Sequence, residues 1–250
     1  MKSSLHVHVQ IAGPCRHKPV AERCGACILD YSEYFAALGL DAKLELQQGL
    51  RLGSFRRRER LYSEGAASRY LYILVSCKIK VYKSVAGGRQ QIHKLILLPG
   101  DLVACEDLFL DRHDSTAEAF DDTTVCYIRK SALLDAMGRH PQISDTLMRV
   151  MTRNLNSYIR HVASLGQRTA IERIASYLHF LHDTHPGYRL EQDVLTESLT
   201  RGEVADMLGI TPRTLIRGLK RLEKDRVISL ARDGFIILDL RALARLSDGA

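Results

Sequence analysis

Residues 199–238 read LTRGEVADMLGITPRTLIRGLKRLEKDRVISLARDGFIIL, and this stretch decides the fold. Thr200 followed three residues later by Glu203 is the pattern of a capping box, which starts a helix. Gly209 ends that helix, and the Thr-Pro pair that follows is a typical start for a second one. The remaining residues have the pattern of a β-hairpin with an Asp-Gly turn. The stretch therefore predicts a winged helix-turn-helix.

The second predicted helix carries the residues that indicate a nucleic-acid partner. It has no acidic residue from Thr211 to Leu222, and Arg213 and Arg217 lie one turn apart in its N-terminal half. Base-edge contacts are made from this part of a helix in the major groove, and arginine pairs well with the two acceptors of guanine. A solvated basic face on an ordinary helix pair is the alternative, but the caps, glycine turn, basic face and hairpin occur here in order. We predict DNA contacts by Arg201, Arg213, Thr214, Ile216, Arg217 and Lys220, with Arg201 and Lys220 on phosphates.

Upstream, residues 140–167 read HPQISDTLMRVMTRNLNSYIRHVASLGQ and predict one long helix. Its apolar residues recur at steps of three or four, which is helical spacing. Two interpretations stay open at this point: the stripe packs inside its own chain, or it forms a dimer seam with a second copy in coiled-coil fashion. We assign to the dimer seam Leu147, Met151, Leu155, Tyr158 and Val162.

The preceding zone has the pattern of β structure. The runs YLYILVSCKIKVYKS, RQQIHKLILL and DDTTVCYIRKS are short strand candidates separated by turn residues, which is typical of a small sandwich or barrel. We expect Cys77 and Cys105 to be small buried residues of this zone. The predicted organisation is a Cys-rich segment (1–30), a β-roll (31–137), a dimerisation helix (138–168) and a winged helix-turn-helix (169–250), in the α+β class.

The composition of the chain indicates in which compartment the protein works and which partners it has. The chain has 250 residues, 46% of them hydrophobic, and a formal net charge of +7. No apolar run approaches the length of about 20 residues that spans a bilayer, and the first residues are too weakly apolar for a signal peptide. We therefore expect a cytoplasmic protein with no membrane partner, whose six cysteines are mostly reduced thiols.

Residues 13–31, GPCRHKPVAERCGACILDY, place Cys15, Cys24 and Cys27 in a basic stretch with His17 among them. In a cytoplasmic protein such a group indicates metal or redox chemistry. Zinc on these three cysteines and His17 is one interpretation, a dithiol switch on the Cys24/Cys27 pair is another, and the absence of any cofactor is a third. Isolated histidines also invite a haem interpretation but are more often ordinary surface or core residues; they are His6, His8 and His93.

Three blocks of the chain resemble the CRP/FNR family of bacterial transcription regulators. The β-roll of the family is similar to the run LYILVSCKIKVYKSVAGGRQQIHKLILLPGDLVACEDLF. Its dimer helix and the hinge after it are similar to LMRVMTRNLNSYIRHVASLGQRTAIERIASYL. Its helix-turn-helix is similar to LTRGEVADMLGITPRTLIRGLKRL. The resemblance covers about residues 45–245. It implies a cyclic-nucleotide-binding-type β-roll, a long dimerisation helix and a winged helix-turn-helix in a homodimer that binds an inverted-repeat operator in double-stranded DNA. RNA polymerase is a further candidate partner.

The cyclic-AMP-binding branch of the family holds the phosphate with an Arg-Ser pair after the nucleotide loop. Here that region reads DRHDSTAEAF and has Asp114, Ser115 and Thr116, with no arginine at the matching place. An acid would repel a phosphate, so we do not expect cyclic AMP to bind.

The FNR branch holds a [4Fe–4S] cluster instead, on three N-terminal cysteines and one on the β-roll. In this chain DSTAEAFDDTTVCYI resembles the β-roll stretch, and Cys126 falls on the fourth ligand's position. The resemblance therefore implies a cluster on Cys15, Cys24, Cys27 and Cys126, which supply the four thiolates that it requires. The family usually has its close cysteine pair first, whereas this chain has the long gap before Cys24 and the close pair after it. The implied function is regulation by oxygen, nitric oxide or redox state.

The second helix also departs from the family pattern. Members usually carry a cytosine-reading glutamate where this chain has Arg213, and a Ser or Gly where it has Ile216, so we expect a different half-site. The same architecture sensing a small organic effector stays open as an alternative, as does a zinc or thiol switch. An enzyme is not expected, because the sequence has no nucleophile–base pair, P-loop, Rossmann glycine pattern or metal-plus-carboxylate set.

Overall fold

The structure is a computed structural model, and it describes residues 10–11, 27–84, 90–96, 98–183, 195–196, 199–231 and 234–248. The chain forms two compact units. Apart from residues 90–92, which group with the second unit, the division between them falls inside a long helix, between Asn156 and Ser157. The boundaries predicted for the four zones remain predictions. No helix among the described residues is both long enough and apolar enough to cross a membrane.

The first unit is built on strands that form two antiparallel sheets. One sheet has the order β1-β2-β9-β4-β7 and the other β3-β8-β5-β6. The strands are β1 (Gln10–Ile11), β2 (Leu50–Phe55), β3 (Arg60–Tyr62), β4 (Tyr70–Ser76), β5 (Ile79–Ser84), β6 (Gln90–Ile96), β7 (Leu102–Val103), β8 (Thr116–Ala119) and β9 (Thr123–Arg129). This arrangement confirms the predicted β-roll.

Strand β4 shows how the β-roll divides its core. Leu71 and Ile73 belong to one apolar cluster, whereas Tyr72 and Leu74 belong to a second one. Successive side chains of a strand point to opposite faces, so both faces of this central strand are buried and it reads as a nearly continuous apolar run. The second cluster lies between the two sheets, and the first lies where helices pack on the five-stranded sheet.

Those helices flank the β-roll in the sequence. They are α1 (Ile28–Tyr31), α2 (Leu40–Gly49), α3 (Lys130–Arg139) and the long α4 (Pro141–Gln167). The predicted strand around Cys126 ends at Arg129, and the residues after it already belong to α3. Pro141 occupies the first position of α4, where its missing N–H leaves no hydrogen bond unmade.

One prediction about the β-roll is wrong. The run at residues 70–84 is two strands joined at Cys77 and Lys78, so Cys77 is exposed rather than buried. Its φ of 66° is left-handed, at the point where the chain passes from one sheet to the other, so the side chain lies at a sharp bend and not on a strand face. Cys105 is fully buried, as predicted.

The second unit contains the predicted winged helix-turn-helix. Its helices are α5 (Ala170–Asp183), α6 (Arg201–Met207), α7 (Pro212–Lys224) and α8 (Leu240–Asp248). Its sheet has the order β10-β12-β11, formed by β10 (Leu195–Thr196), β11 (Ile228–Ala231) and β12 (Gly234–Ile237). Strands β11 and β12 pair as far as Ala231 and Gly234, and the predicted Asp-Gly turn lies in part outside the described residues. Helix α8, which is not among the predicted elements, packs on α5.

Candidate nucleic-acid interface and cysteine site

Two capped helices position the candidate interface. Thr200 Oγ1 accepts a hydrogen bond from the Glu203 backbone N–H at 3.2 Å, and Glu203 Oε2 accepts one from the Thr200 N–H at 2.9 Å. This is the predicted capping box, which satisfies two donors at the start of α6. Gly209 has a φ of 62°, so it supplies the left-handed residue that ends the helix and turns the chain towards α7.

Helix α7 begins and packs as the sequence indicates. Thr211 Oγ1 accepts from the Thr214 N–H at 3.1 Å, and Pro212 follows as the first helical residue. The inward face of the helix consists of buried leucines at helical spacing, namely Leu215, Leu219 and Leu222.

The opposite face of α7 is exposed and basic. Arg213, Arg217 and Lys220 are spaced by four and three residues, so they share one face of the helix. Within the described part of the chain none of the three makes an ion pair, whereas Arg221 Nε lies 3.6 Å from Asp225 Oδ2. A row of exposed cations without acidic partners is suited to phosphate oxygens and base acceptors.

The other predicted DNA contacts differ in their surroundings. Ile216 is exposed beside the basic face, and Arg201 is exposed in the first turn of α6. Thr214 is half-buried, and its hydroxyl lies 2.9 Å from the Thr211 hydroxyl, so part of its hydrogen-bonding capacity serves the helix start. The structure thus places five of the six predicted side chains on exposed surface.

Of the four predicted cluster ligands, two lie in the described residues and two, Cys15 and Cys24, lie outside them. Cys27 precedes the first residue of α1 and is half-buried. Cys126 is buried on β9, where it pairs with Leu52 on one side and Ile73 on the other. Cys126 belongs to the first apolar cluster, and Cys27, distant in sequence, packs against that cluster. Among the described residues no group of three or more Cys, His, Asp or Glu side chains could hold a metal ion.

Cys105 lies in a different environment from the predicted ligands. Asn154 Nδ2 donates to its Sγ at 3.3 Å and to Glu106 Oε1 at 2.9 Å, and Glu106 also pairs with Lys94. Burial, together with the charge of Glu106, raises the pKa of the Cys105 thiol to about 12. A thiol with this pKa stays protonated at neutral pH and is a poor ligand and nucleophile.

The loop where the cyclic-AMP branch carries its phosphate-binding pair is bonded within the chain. Asp114 Oδ2 lies 2.9 Å from Lys83 Nζ, and Thr116 Oγ1 accepts from the Glu64 N–H at 3.0 Å. Nearby, the buried His113 stacks on Tyr62 and lies 2.7 Å from Asp107 Oδ2 through Nδ1. Asp114, Thr116 and His113 are therefore already ion-paired or hydrogen-bonded to neighbouring groups of the same chain.

The predicted dimer stripe divides into two parts. Leu147 is buried, and with the half-buried Met151 it packs on the cluster that includes Cys126, so both side chains contribute to their own chain's core, and their assignment to a dimer seam stays a prediction. Periodicity could not separate the two cases, because a helix presents the same spacing to its own core and to a partner. Tyr158 is half-buried. The exposed apolar residues of α4 are Met148, Leu155, Ile159 and Val162.

The β-roll followed by a winged helix-turn-helix with a free basic face defines a class, that of transcription regulators that bind DNA. The family model for a Crp-like helix-turn-helix domain matches residues 172–246, and the model for a cyclic nucleotide-binding domain matches residues 52–140.

Curated relatives agree with this class. The chain is 30% identical over 187 residues to the anaerobic regulatory protein of Pasteurella multocida, covering 75% of this chain and 68% of the relative. It is 28% identical over 235 residues to the fumarate and nitrate reduction regulatory protein of Vibrio cholerae, covering 93% and 90%. The solved structure of FixK2 from Bradyrhizobium japonicum matches with a TM-score of 0.70 and 28% identity, over 79% of this chain and 96% of that one. The chain belongs to the CRP/FNR family of transcription regulators.

Proposed function

We propose that this regulator is a homodimer that binds an inverted-repeat operator and whose DNA binding is set by a [4Fe–4S] cluster on Cys15, Cys24, Cys27 and Cys126. The observation that carries the cluster proposal is that Cys27, far from Cys126 in sequence, packs against the apolar cluster beside the five-stranded sheet to which Cys126 belongs. The names of the two relatives, which refer to anaerobic regulation and to fumarate and nitrate reduction, also support it.

The residues present fit such a cluster in their donor chemistry. Thiolates are the ligands that iron–sulfur clusters require, and an apolar surrounding limits water access and tunes the potential. Cys126 is held rigidly, since β9 pairs with a neighbouring strand on each side. When bound, the cluster would supply a redox- and gas-sensitive centre. Cys77 is an exposed turn residue and Cys105 is a protonated thiol bonded to Asn154, so neither is an equivalent alternative ligand.

The DNA-binding part of the proposal rests on the exposed basic face of α7. Arg213 and Arg217 would read base edges from one docking pose in the major groove, while Arg201 and Lys220 would neutralise phosphates. Two copies would pair through the exposed stripe of α4, formed by Met148, Leu155, Ile159 and Val162. A two-fold dimer of this kind would favour half-sites about one helical turn apart.

A transcription regulator acts at promoters, so RNA polymerase is the further partner and the bacterial cytoplasm the compartment that we propose. Our proposal and its alternatives differ in the signal that the protein senses and in the cofactor that this sensing requires. A protein of the same architecture that senses a small organic effector would need no metal, and a zinc or dithiol switch would need no sulfide.

Iron, zinc and acid-labile sulfide analysis of anaerobically purified protein tests the cluster directly. We expect about four irons and four sulfides per chain and a brown colour that bleaches in air. Cys126→Ala should remove the colour, while the matched control Cys77→Ala should keep it. Full iron and sulfide in Cys126→Ala would show that the fourth ligand is another residue. Colourless protein with one zinc per chain would replace the cluster by the zinc site.

A further inference from the structure

Helix α5 contacts the helix-turn-helix through a charged side chain that no sequence motif singles out. Arg173 Nη1 donates to the Leu208 carbonyl oxygen at 2.7 Å and lies 3.3 Å from the Gly209 carbonyl oxygen. These two carbonyls belong to the turn between α6 and α7. Hydrogen bonds from an ionised donor are stronger than those between neutral groups, so this guanidinium fixes the turn from outside.

The residues beside Arg173 hold the next helix. Gly218 of α7 faces α5 so closely that an added Cβ would lie 2.4 Å from Ile174 Cδ1 and 3.7 Å from Ile171 Cδ1. Ile174 is fully buried, so its side chain has little room to move away. A short part of α5 therefore contacts the helix-turn-helix at two places. Arg173 bonds the turn between α6 and α7, and Ile171 and Ile174 lie against α7 at Gly218.

We propose that Arg173 is a positioning residue for DNA reading, which acts through the Leu208 and Gly209 carbonyls without touching DNA. The inference rests on the proposed reading of base edges by α7. Bidentate base contacts require the arginines of α7 to be held within a fraction of an ångström, whereas phosphate contacts tolerate more movement. Loss of the Arg173 hydrogen bonds should therefore reduce discrimination between DNA sequences much more than it reduces affinity for DNA in general.

A direct bond between Arg173 and a phosphate is the competing explanation, and salt dependence distinguishes the two. Each neutralised phosphate adds about 0.9 to the slope of log affinity against log salt concentration. If Arg173 neutralised a phosphate, its replacement by a neutral residue would lower this slope and weaken the complexes with all sequences about equally. A loosened turn would leave the slope on unrelated DNA unchanged.

The experiment uses the full-length chain and two duplexes of equal length: the sequence that the wild type selects from a random pool, and an unrelated one. Arg173→Gln should lower the ratio of the two affinities by about tenfold, the effect of losing a charged hydrogen bond, with an unchanged salt slope on the unrelated duplex. Arg173→Lys keeps the charge but not the forked donor geometry, so its ratio should also fall, by a smaller factor. Arg168→Gln is the matched control, because it removes the same charge from a residue that bonds Ser176 and not the turn.

Thermal melts and circular dichroism establish that each variant is folded. An Arg173→Gln variant that keeps both the wild-type ratio and the wild-type salt slope would overturn the proposal. An Arg173→Gln variant whose salt slope falls by about one would assign Arg173 to a phosphate instead. If the wild type selects no sequence, the proposed function fails. If the wild type selects a sequence and Arg173→Gln discriminates equally well, only the inference about Arg173 fails.

Discussion

Leu147 and Leu155 lie on the same helix about two turns apart, yet Leu147 is 1% exposed and Leu155 is 59% exposed. The first leucine packs with Val150 on the core of its own chain, whereas the second stands in the row of exposed apolar side chains that continues to Val162. Exposed apolar residues at this spacing along a helix are suited to the proposed pairing with a second copy. The helix therefore changes its role along its length.

The first prediction concerns dimerisation. Leu155→Glu should give a folded monomer with little affinity for the operator, because a charge in the seam would be buried without a partner at a cost of several kcal/mol. Sedimentation measures the oligomeric state, and a melting curve reports the fold. Leu147→Glu is the contrasting variant: it should destabilise the first unit itself, since this side chain is buried in the core. A Leu155→Glu protein that remains dimeric would place the seam elsewhere.

The second prediction concerns the reactivity of two cysteines outside the proposed ligand set. Because burial and the Glu106 charge raise the pKa of the Cys105 thiol to about 12, this thiol stays protonated and unreactive from about pH 7 to 9. Cys77 is exposed. Iodoacetamide added to the native protein should alkylate Cys77 within minutes and Cys105 only after unfolding, as mass spectrometry of the peptides would show. Equal rates at the two sites would mean that the Cys105 loop opens readily.

The third prediction concerns two glycines of the helix-turn-helix, one with a left-handed backbone conformation and one within a helix. Gly209 has a φ of 62°, so Gly209→Ala should lower the free energy of unfolding by about 1–2 kcal/mol. Gly202 lies inside α6, and the nearest atom to an added Cβ, Thr200 Oγ1, is 3.9 Å away. Gly202→Ala should therefore stabilise the protein by about 0.5–1 kcal/mol. Chemical denaturation of both variants checks the signs, and two changes of the same sign would contradict this account of the turn.

The fourth prediction concerns sequence reading. Arg213 replaces the glutamate with which the family usually reads cytosine, so the preferred half-site should carry guanine on the contacted strand at that place. Selection from random DNA with the wild type and Arg213→Glu should yield different half-sites. Lys220→Gln, in contrast, should weaken all sequences about equally and flatten the salt dependence. Identical half-sites from the wild type and Arg213→Glu would mean that Arg213 does not read bases.

The helix-turn-helix was predictable because its signals are local. Thr200, Glu203, Gly209 and Thr211 make in the structure the caps and the turn that their spacing predicts. Helix α8 has a comparable local signal: Asp239 Oδ1 accepts from the Ala242 N–H at 2.9 Å, as an N-cap residue does.

The remaining features depend on contacts between distant parts of the chain. Nothing near Arg173 in the sequence indicates that its partner is the turn at Leu208, and the exposure of Cys77 depends on a turn hidden inside an alternating run. The partition of α4 into a buried and an exposed part follows from which of its residues pack on the first apolar cluster, and periodicity does not contain this information. The predicted ligands Cys15 and Cys24 lie outside the described residues, so their roles remain predictions.

The close approach of Gly218 to Ile174 has a consequence for how the family can diverge. At 2.4 Å, the space that a side chain at position 218 would need is already filled by Ile174 Cδ1, so the two positions share one fixed volume. Among relatives, an alanine or serine in place of Gly218 should therefore coincide with a valine or alanine in place of Ile174. Substitutions at these two sites should covary, and a lineage that shrinks the isoleucine first avoids the clash.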